Sequence, residues 1–285
     1  MRRLLATVAL LGSLPMLSAA QQPGTRKVFI SVDMEGLAGV VTSSDVSTSG
    51  PDYAHFRQVM AAETNAAIEG AFRGGATEVL VRDSHGSKQN LLPGDVDPRA
   101  RLLRGASSGP KNMMEGIDST FDAVVFIGYH AKAGTPNAIL EHTSNGNVLD
   151  FSINGVSLPE GGYNALVAGL YDVPVVFVSG DQAVVDQIRG LLGPIEAVAV
   201  KQEIGDASLG LSPKQSQEAV LSGVERAVRE AGRGKPYRLT GPYTMVLKVR
   251  EERPLYGSAR RTNTGESTFT SSDLLEILAA FNAMK

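Results

Sequence analysis

The chain holds four histidines, His55, His85, His130 and His142, and no cysteine. Disulfides, thiolate zinc sites, iron–sulfur clusters and a cysteine nucleophile are thereby excluded. The residues that remain for chemistry recur in one arrangement. The apolar run Lys27–Val32 (KVFISV) ends in Asp33-Met34-Glu35, Glu78–Val81 (EVLV) leads into Asp83-Ser84-His85, and Asp122–Ile127 (DAVVFI) leads into Gly128-Tyr129-His130. On extended backbone, residues two apart point the same way, about 6.5–7 Å from one to the next. Asp33 and Glu35 would then serve one site together. In α/β sheets the carboxyl ends of the strands form the ligand crevice, which brings Asp33, Glu35, His85 and His130 to one rim. Carboxylates with imidazoles suit zinc, manganese or iron better than calcium or copper(I). Taken singly, an Asp-x-Glu pair is ordinarily a solvated loop and a histidine after a strand a hydrogen-bonded turn. Recurrence at three strand ends is what points to metal chemistry.

The elements that must position these groups follow from periodicity. Tyr53–Arg73 carries Phe56, Met60, Ala67, Ile68, Ala71 and Phe72 at helical spacing, and Gly74-Gly75 stops it. Further helices are expected over Gly161–Tyr171, Gln182–Leu192 and Pro213–Glu230, with strands over Pro174–Ser179 and Glu196–Val200. Val148–Ile153 alternates and meets Asn154-Gly155, a tight-turn dipeptide. Beyond the Gly232–Pro236 turn the pattern changes: Tyr243–Val249 alternates like an antiparallel strand, and Ser272–Met284 is a closing helix. The expected fold class is α/β, a mixed, mostly parallel sheet flanked by helices. It is divided into an α/β metal-binding catalytic core over 21–205 and a smaller α+β C-terminal part over 206–285.

Residues 1–20 (MRRLLATVALLGSLPMLSAA) have a positive start, a short apolar run and a small-residue cleavage site before Gln21. This is the tripartite pattern of a secretory signal peptide. The run is too short for a membrane span and Pro15 interrupts it, so no stable membrane anchor is expected. The predicted location is secreted or periplasmic. The 27 basic against 30 acidic residues leave a net charge of −3, with no basic excess to favour nucleic acid.

Five segments together are specific: SVDMEG (Ser31–Gly36), DSH (Asp83–His85), GYHAKAGTP (Gly128–Pro136), EHT (Glu141–Thr143) and PEGGYNA (Pro159–Ala165). In this order they resemble the DppA-type D-aminopeptidases, from about residue 27 to about 205 and more loosely beyond. The resemblance implies two zinc ions per subunit, with manganese or cobalt as alternatives, and removal of the N-terminal residue from small peptides built of D-amino acids. It also implies a homo-oligomer, a decamer of two stacked rings. It makes Asp33 the bridging carboxylate, Glu35 and His130 the remaining ligands of one metal, His85 and Glu160 those of the other, and His142 the catalytic base or nucleophile. Three carboxylates against two dications leave one positive charge, which a hydroxide would neutralise. Without metal the crowded carboxylates should have raised pKa values.

Other readings use the same residues. A two-metal phosphoesterase would have similar ligands, a periplasmic peptide-binding protein would suit an export signal, and a structural metal site would be closed to water. Gly105-Ala106-Ser107-Ser108-Gly109 matches the nucleophile-elbow pattern but lacks the strand and helix that must flank it. His55, near a helix start, is expected to be a surface or capping residue. Asp83 is a candidate to orient His85 or to cap its turn, and Lys132 a candidate to meet a substrate carboxylate.

Overall fold

Alternation in the first strand decides the layering. In β1 (Lys27–Val32), Val28, Ile30 and Val32 pack into one apolar cluster and Phe29 into another. A strand buried on both faces belongs inside a parallel sheet covered on either side. The computed structural model describes residues 24–205 and 207–285; the proposed signal peptide lies outside them. After β1 follow α1 (Ser43–Val46), α2 (Tyr53–Arg73), β2 (Glu78–Asp83), β3 (Arg101–Leu103), β4 (Ala123–Tyr129), β5 (Val148–Ile153) and β6 (Val156–Ser157). Then come α3 (Glu160–Leu170), β7 (Val175–Asp181), α4 (Gln182–Leu192), β8 (Glu196–Ile204), β9 (Ala207–Gly210) and α5 (Pro213–Arg229). β10 (Tyr243–Val249), β11 (Arg260–Asn263), β12 (Glu266–Ser271) and α6 (Leu274–Met284) complete the order.

The larger sheet runs β3-β2-β1-β4-β7-β8-β9, parallel except for β9. α2 and α5 pack on one face, with Met60, Ile68, Val220 and Val224 in the cluster beneath them. α3, α4, α6 and the smaller sheet contribute to the apolar cluster on the other. The expected mixed, mostly parallel sheet with flanking helices is the architecture observed. α5 starts on a capping box: Gln215 N–H donates to Ser212 Oγ, while Gln215 Oε1 accepts from Ser212 N–H.

The expected division at residue 205 does not follow the sheets. β9 and α5 lie beyond it yet belong with the larger sheet. β5 and β6 lie before it yet join the smaller antiparallel sheet, β11-β12-β10-β5-β6. The reason is the hairpin: Asn154 and Gly155, with φ of 52° and 79°, return β6 onto β5, and β5 pairs with β10. α6 then packs against β10 and β12, with Phe281 stacked on Phe151 at 4.1 Å.

Candidate metal centre

β1 lies between β2 and β4, so the residues that follow these strands approach from both sides of Asp33. The turn after β1 is pinned to β4, with Asp33 N–H to Ile127 O and Gly36 N–H to Gly128 O, each 2.8 Å. A Cβ on Gly36 would stand 1.9 Å from Tyr129 O, so only glycine permits this approach. Asp33 and Glu35 do face one site, though on a turn (Leu37 N–H to Met34 O, 3.1 Å) rather than the extended backbone expected. His85 follows β2, His130 follows β4, and Glu160 opens α3. His142 sits in the loop before β5, its N–H on Ala131 O at 3.2 Å. The structure therefore brings all six residues to one place. Asp33, Glu35, His85, His142 and Glu160 line a cavity of about 310 Å³, and His130 is buried against it.

Each imidazole is fixed by a backbone carbonyl. His85 Nε2 lies 3.0 Å from Val46 O, His130 Nδ1 3.0 Å from Ala131 O, and His142 Nδ1 2.9 Å from Leu140 O. Donation to those carbonyls sets the tautomer and leaves the other ring nitrogen facing the carboxylates, the arrangement that orients metal-binding histidines. His85 Nδ1 lies 3.1 Å from Asp33 and 3.0 Å from Glu35. His130 Nε2 lies 3.7 Å from Asp33 and 3.5 Å from Glu160, and is buried with no well-formed hydrogen bond among the described residues. His142 stacks on His130 at 4.0 Å, with Nε2 3.7 Å from Glu160. Ligand atoms of Asp33, Glu35 and His130 lie within 4.8 Å of one another, as do those of His130, His142 and Glu160.

The group Asp33, Glu35 and His130 matches the first ligand set that the resemblance implies, while the contacts of His85 and Glu160 distribute differently from the second. His85 faces Glu35 and Asp33, whereas Glu160 faces His130 and His142. Strand order is the cause: His85 arrives from the β2 side of Asp33 and His130 from the β4 side. The electrostatics show a place built for positive charge. Burial, with Glu35 beside it, pushes Asp33 up to about 6. Burial opposes ionisation of Glu160, yet His130, His142 and the Ser144 N–H hold it down at about 2. Burial would lower His85 and His130, but the surrounding carboxylates raise them to about 11 and about 10.

Sequence reasoning missed Lys201, on β8. It is 3% exposed, and its ammonium donates to Glu35 O (2.5 Å), Leu37 O (3.0 Å) and Val40 O (2.6 Å), tying down the turn that carries Asp33 and Glu35. Burial pulls its pKa down to about 8. A lone lysine in a strand gives no signal of such a task. Lys201→Met strands buried acceptors, and is expected to lower the unfolding free energy by about 3 kcal/mol. A urea midpoint that did not fall would contradict this.

The weaker candidates fall outside the centre. His55 is exposed and packs edge-on against Phe56. Asp83 caps its turn, accepting from the N–H groups of Asn90 (2.6 Å) and Leu91 (2.8 Å), so Val46 O and not Asp83 orients His85. Lys132 donates to Ser157 Oγ and pairs with Asp150 at 3.5 Å. Ser107 donates to Glu115 at 2.6 Å in a loop with no helix directly after it, which removes the nucleophile elbow. Among the described residues no helix is long and apolar enough to cross a membrane.

Comparison with known proteins agrees with the geometry. The family model for D-aminopeptidases, peptidase family M55, matches residues 26–283. The D-aminopeptidase of Bacillus subtilis (strain 168) is 36% identical over 269 residues, covering 90% of this chain and 96% of the relative. The solved structure of the Zn-dependent D-aminopeptidase DppA from Bacillus subtilis, a self-compartmentalizing protease, aligns with a TM-score of 0.83 and 32% identity. That alignment covers 90% of this chain and 95% of the other.

Proposed function

The chain belongs to the D-aminopeptidase family, and from that membership we propose that it is an exported zinc-dependent aminopeptidase. Its reaction would release the N-terminal residue from short peptides containing D-amino acids. The observation that carries the reading is the convergence of three buried carboxylates and three carbonyl-fixed imidazoles on one cavity. The donors suit zinc: oxygen and nitrogen ligands only, with the buried His130 Nε2 left without a hydrogen-bond partner among the described residues. Asp33 between the two sides, Glu35 with His85, and His130 with Glu160 would hold two ions. Bound there, zinc would polarise the scissile carbonyl and lower the pKa of water.

The protein's own part is proton movement. His142 keeps Nδ1 on Leu140 O, so Nε2 is free to take a proton from the attacking water and pass it to the leaving nitrogen. Its side chain is 26% exposed, the most open of the site's three histidines, as a group that meets substrate requires. A second reading has a specific observation behind it: His142 stands among metal-capable atoms with His130 and Glu160, and would then be a ligand. Export rests on the pattern of residues 1–20. The Bacillus structure is a self-compartmentalizing protease, and the same property here would make this chain a homo-oligomer, a decamer by the family resemblance.

Hydrolysis of D-alanyl-D-alanine, L-alanyl-L-alanine and a phosphate monoester, before and after chelation, tests the activity. The expected result is release of D-alanine, faster than any L-alanine, lost on chelation and restored by zinc. Chelator-insensitive turnover, hydrolysis of the phosphate ester alone, or binding of the peptide without turnover would overturn the proposal.

A further inference from the structure

Two lysines line the cavity without a place in the metal chemistry. Lys88 is 9% exposed, and its ammonium donates to Ser84 O at 3.0 Å and, weakly, to Gly86 O at 3.4 Å. Lys285, just after α6, donates to Ser144 Oγ at 2.6 Å. An ammonium carries three N–H donors, so Lys88 keeps one to spare and Lys285 two. Among the described residues neither is ion-paired; what they touch is neutral.

Their positions are held. Lys88 has a φ of 61°, in the left-handed region that non-glycine residues occupy only under constraint. Its N–H donates to His85 O at 2.7 Å, and its carbonyl accepts from Gly105 N–H at 2.6 Å. Lys285 is joined to the metal centre through Ser144, whose N–H donates to Glu160 Oε1 at 2.6 Å. Burial lowers the pKa of both ammoniums; Asp33 and Glu160 work against this on Lys88, and Glu160 does so on Lys285, where the like charge of Lys88 adds to the lowering. Two sheltered cations on one cavity, neither in a direct ion pair among the described residues, are costly unless an anion joins them. The three carboxylates opposite are committed to the centre. A peptide whose N-terminal residue lies there carries an anion of its own. In a dipeptide that α-carboxylate is at most about 7 Å along the chain.

We propose that Lys88 and Lys285 receive the free α-carboxylate of a dipeptide-length substrate, so that the site recognises both ends of the peptide it cleaves. This rests on the aminopeptidase reading above. Lys132, the lysine that sequence suggested for this task, is engaged by Ser157 and Asp150.

The test compares D-alanyl-D-alanine with its C-terminal amide, using zinc-loaded wild type, Lys285→Met, Lys285→Arg and Lys88→Met. Calorimetry with N-acetyl-D-alanyl-D-alanine and its amide supplies a readout independent of turnover. The wild type should favour the free acid by about tenfold in kcat/KM, carried mainly by KM. Lys285→Met should bring that ratio toward one, Lys285→Arg should keep it, and acid binding should weaken about tenfold in Lys285→Met. A wild-type ratio of one, or variants that slow acid and amide in equal proportion, would overturn the proposal and leave the peptidase activity standing. If the wild type cleaves neither peptide, the aminopeptidase reading falls, and calorimetry alone upholds or overturns the lysine site.

Discussion

His142→Ala is expected to keep zinc bound and to lower kcat for D-alanyl-D-alanine by about 10²–10⁴-fold, the usual contribution of a positioned acid–base group. The expectation follows from the hydrogen bonding. Leu140 O holds Nδ1, Nε2 faces the cavity, and Glu160 already has His130 at 3.5 Å and the Ser144 N–H at 2.6 Å. The centre is therefore not left short of donors when His142 goes. Two measurements on one sample decide the matter, zinc per chain and single-turnover rate. A variant that loses one zinc makes His142 a ligand; a variant with full activity removes it from the chemistry.

Asp33→Ala should have the opposite signature, losing metal as well as activity. Asp33 faces His85 through Oδ1 and His130 through Oδ2, so one substitution removes an oxygen donor from each side. Binding to the folded state alone raises stability by about 2.7 kcal/mol at a ligand concentration one hundred times Kd. Wild type and His142→Ala should accordingly show a zinc-dependent rise in Tm, and Asp33→Ala should show none. A zinc response retained in Asp33→Ala would place the metal elsewhere.

Much of this centre was legible because its signals are local. Apolar strands that stop at Asp33, His85 and His130 are read directly, as is α4 over Gln182–Leu192, where Asp181 caps the first turn. Glu160 was different: at the first position of a helix it looks like any acid placed there to favour the dipole, and only the family resemblance singled it out. The pairing of His85 with Glu35 rather than Glu160 depends on the lateral order β2-β1-β4, which no single segment encodes. Lys201 and Lys285 act across 166 and 141 positions of chain, on Glu35 O and Ser144 Oγ, and a lone lysine carries no mark of its partner. Strand pairing crosses the boundary expected near residue 205 for the same reason: β5 finds its neighbour in β10, roughly a hundred positions on.

The proposed function requires that Asp33, Glu35, His85, His130 and Glu160 hold two zinc ions. Anomalous scattering at the zinc edge from crystals of the zinc-loaded protein tests it most directly. The expected result is two peaks, one among Asp33, Glu35 and His85, the other among Asp33, His130 and Glu160. A single peak, or none within this cavity, would contradict it.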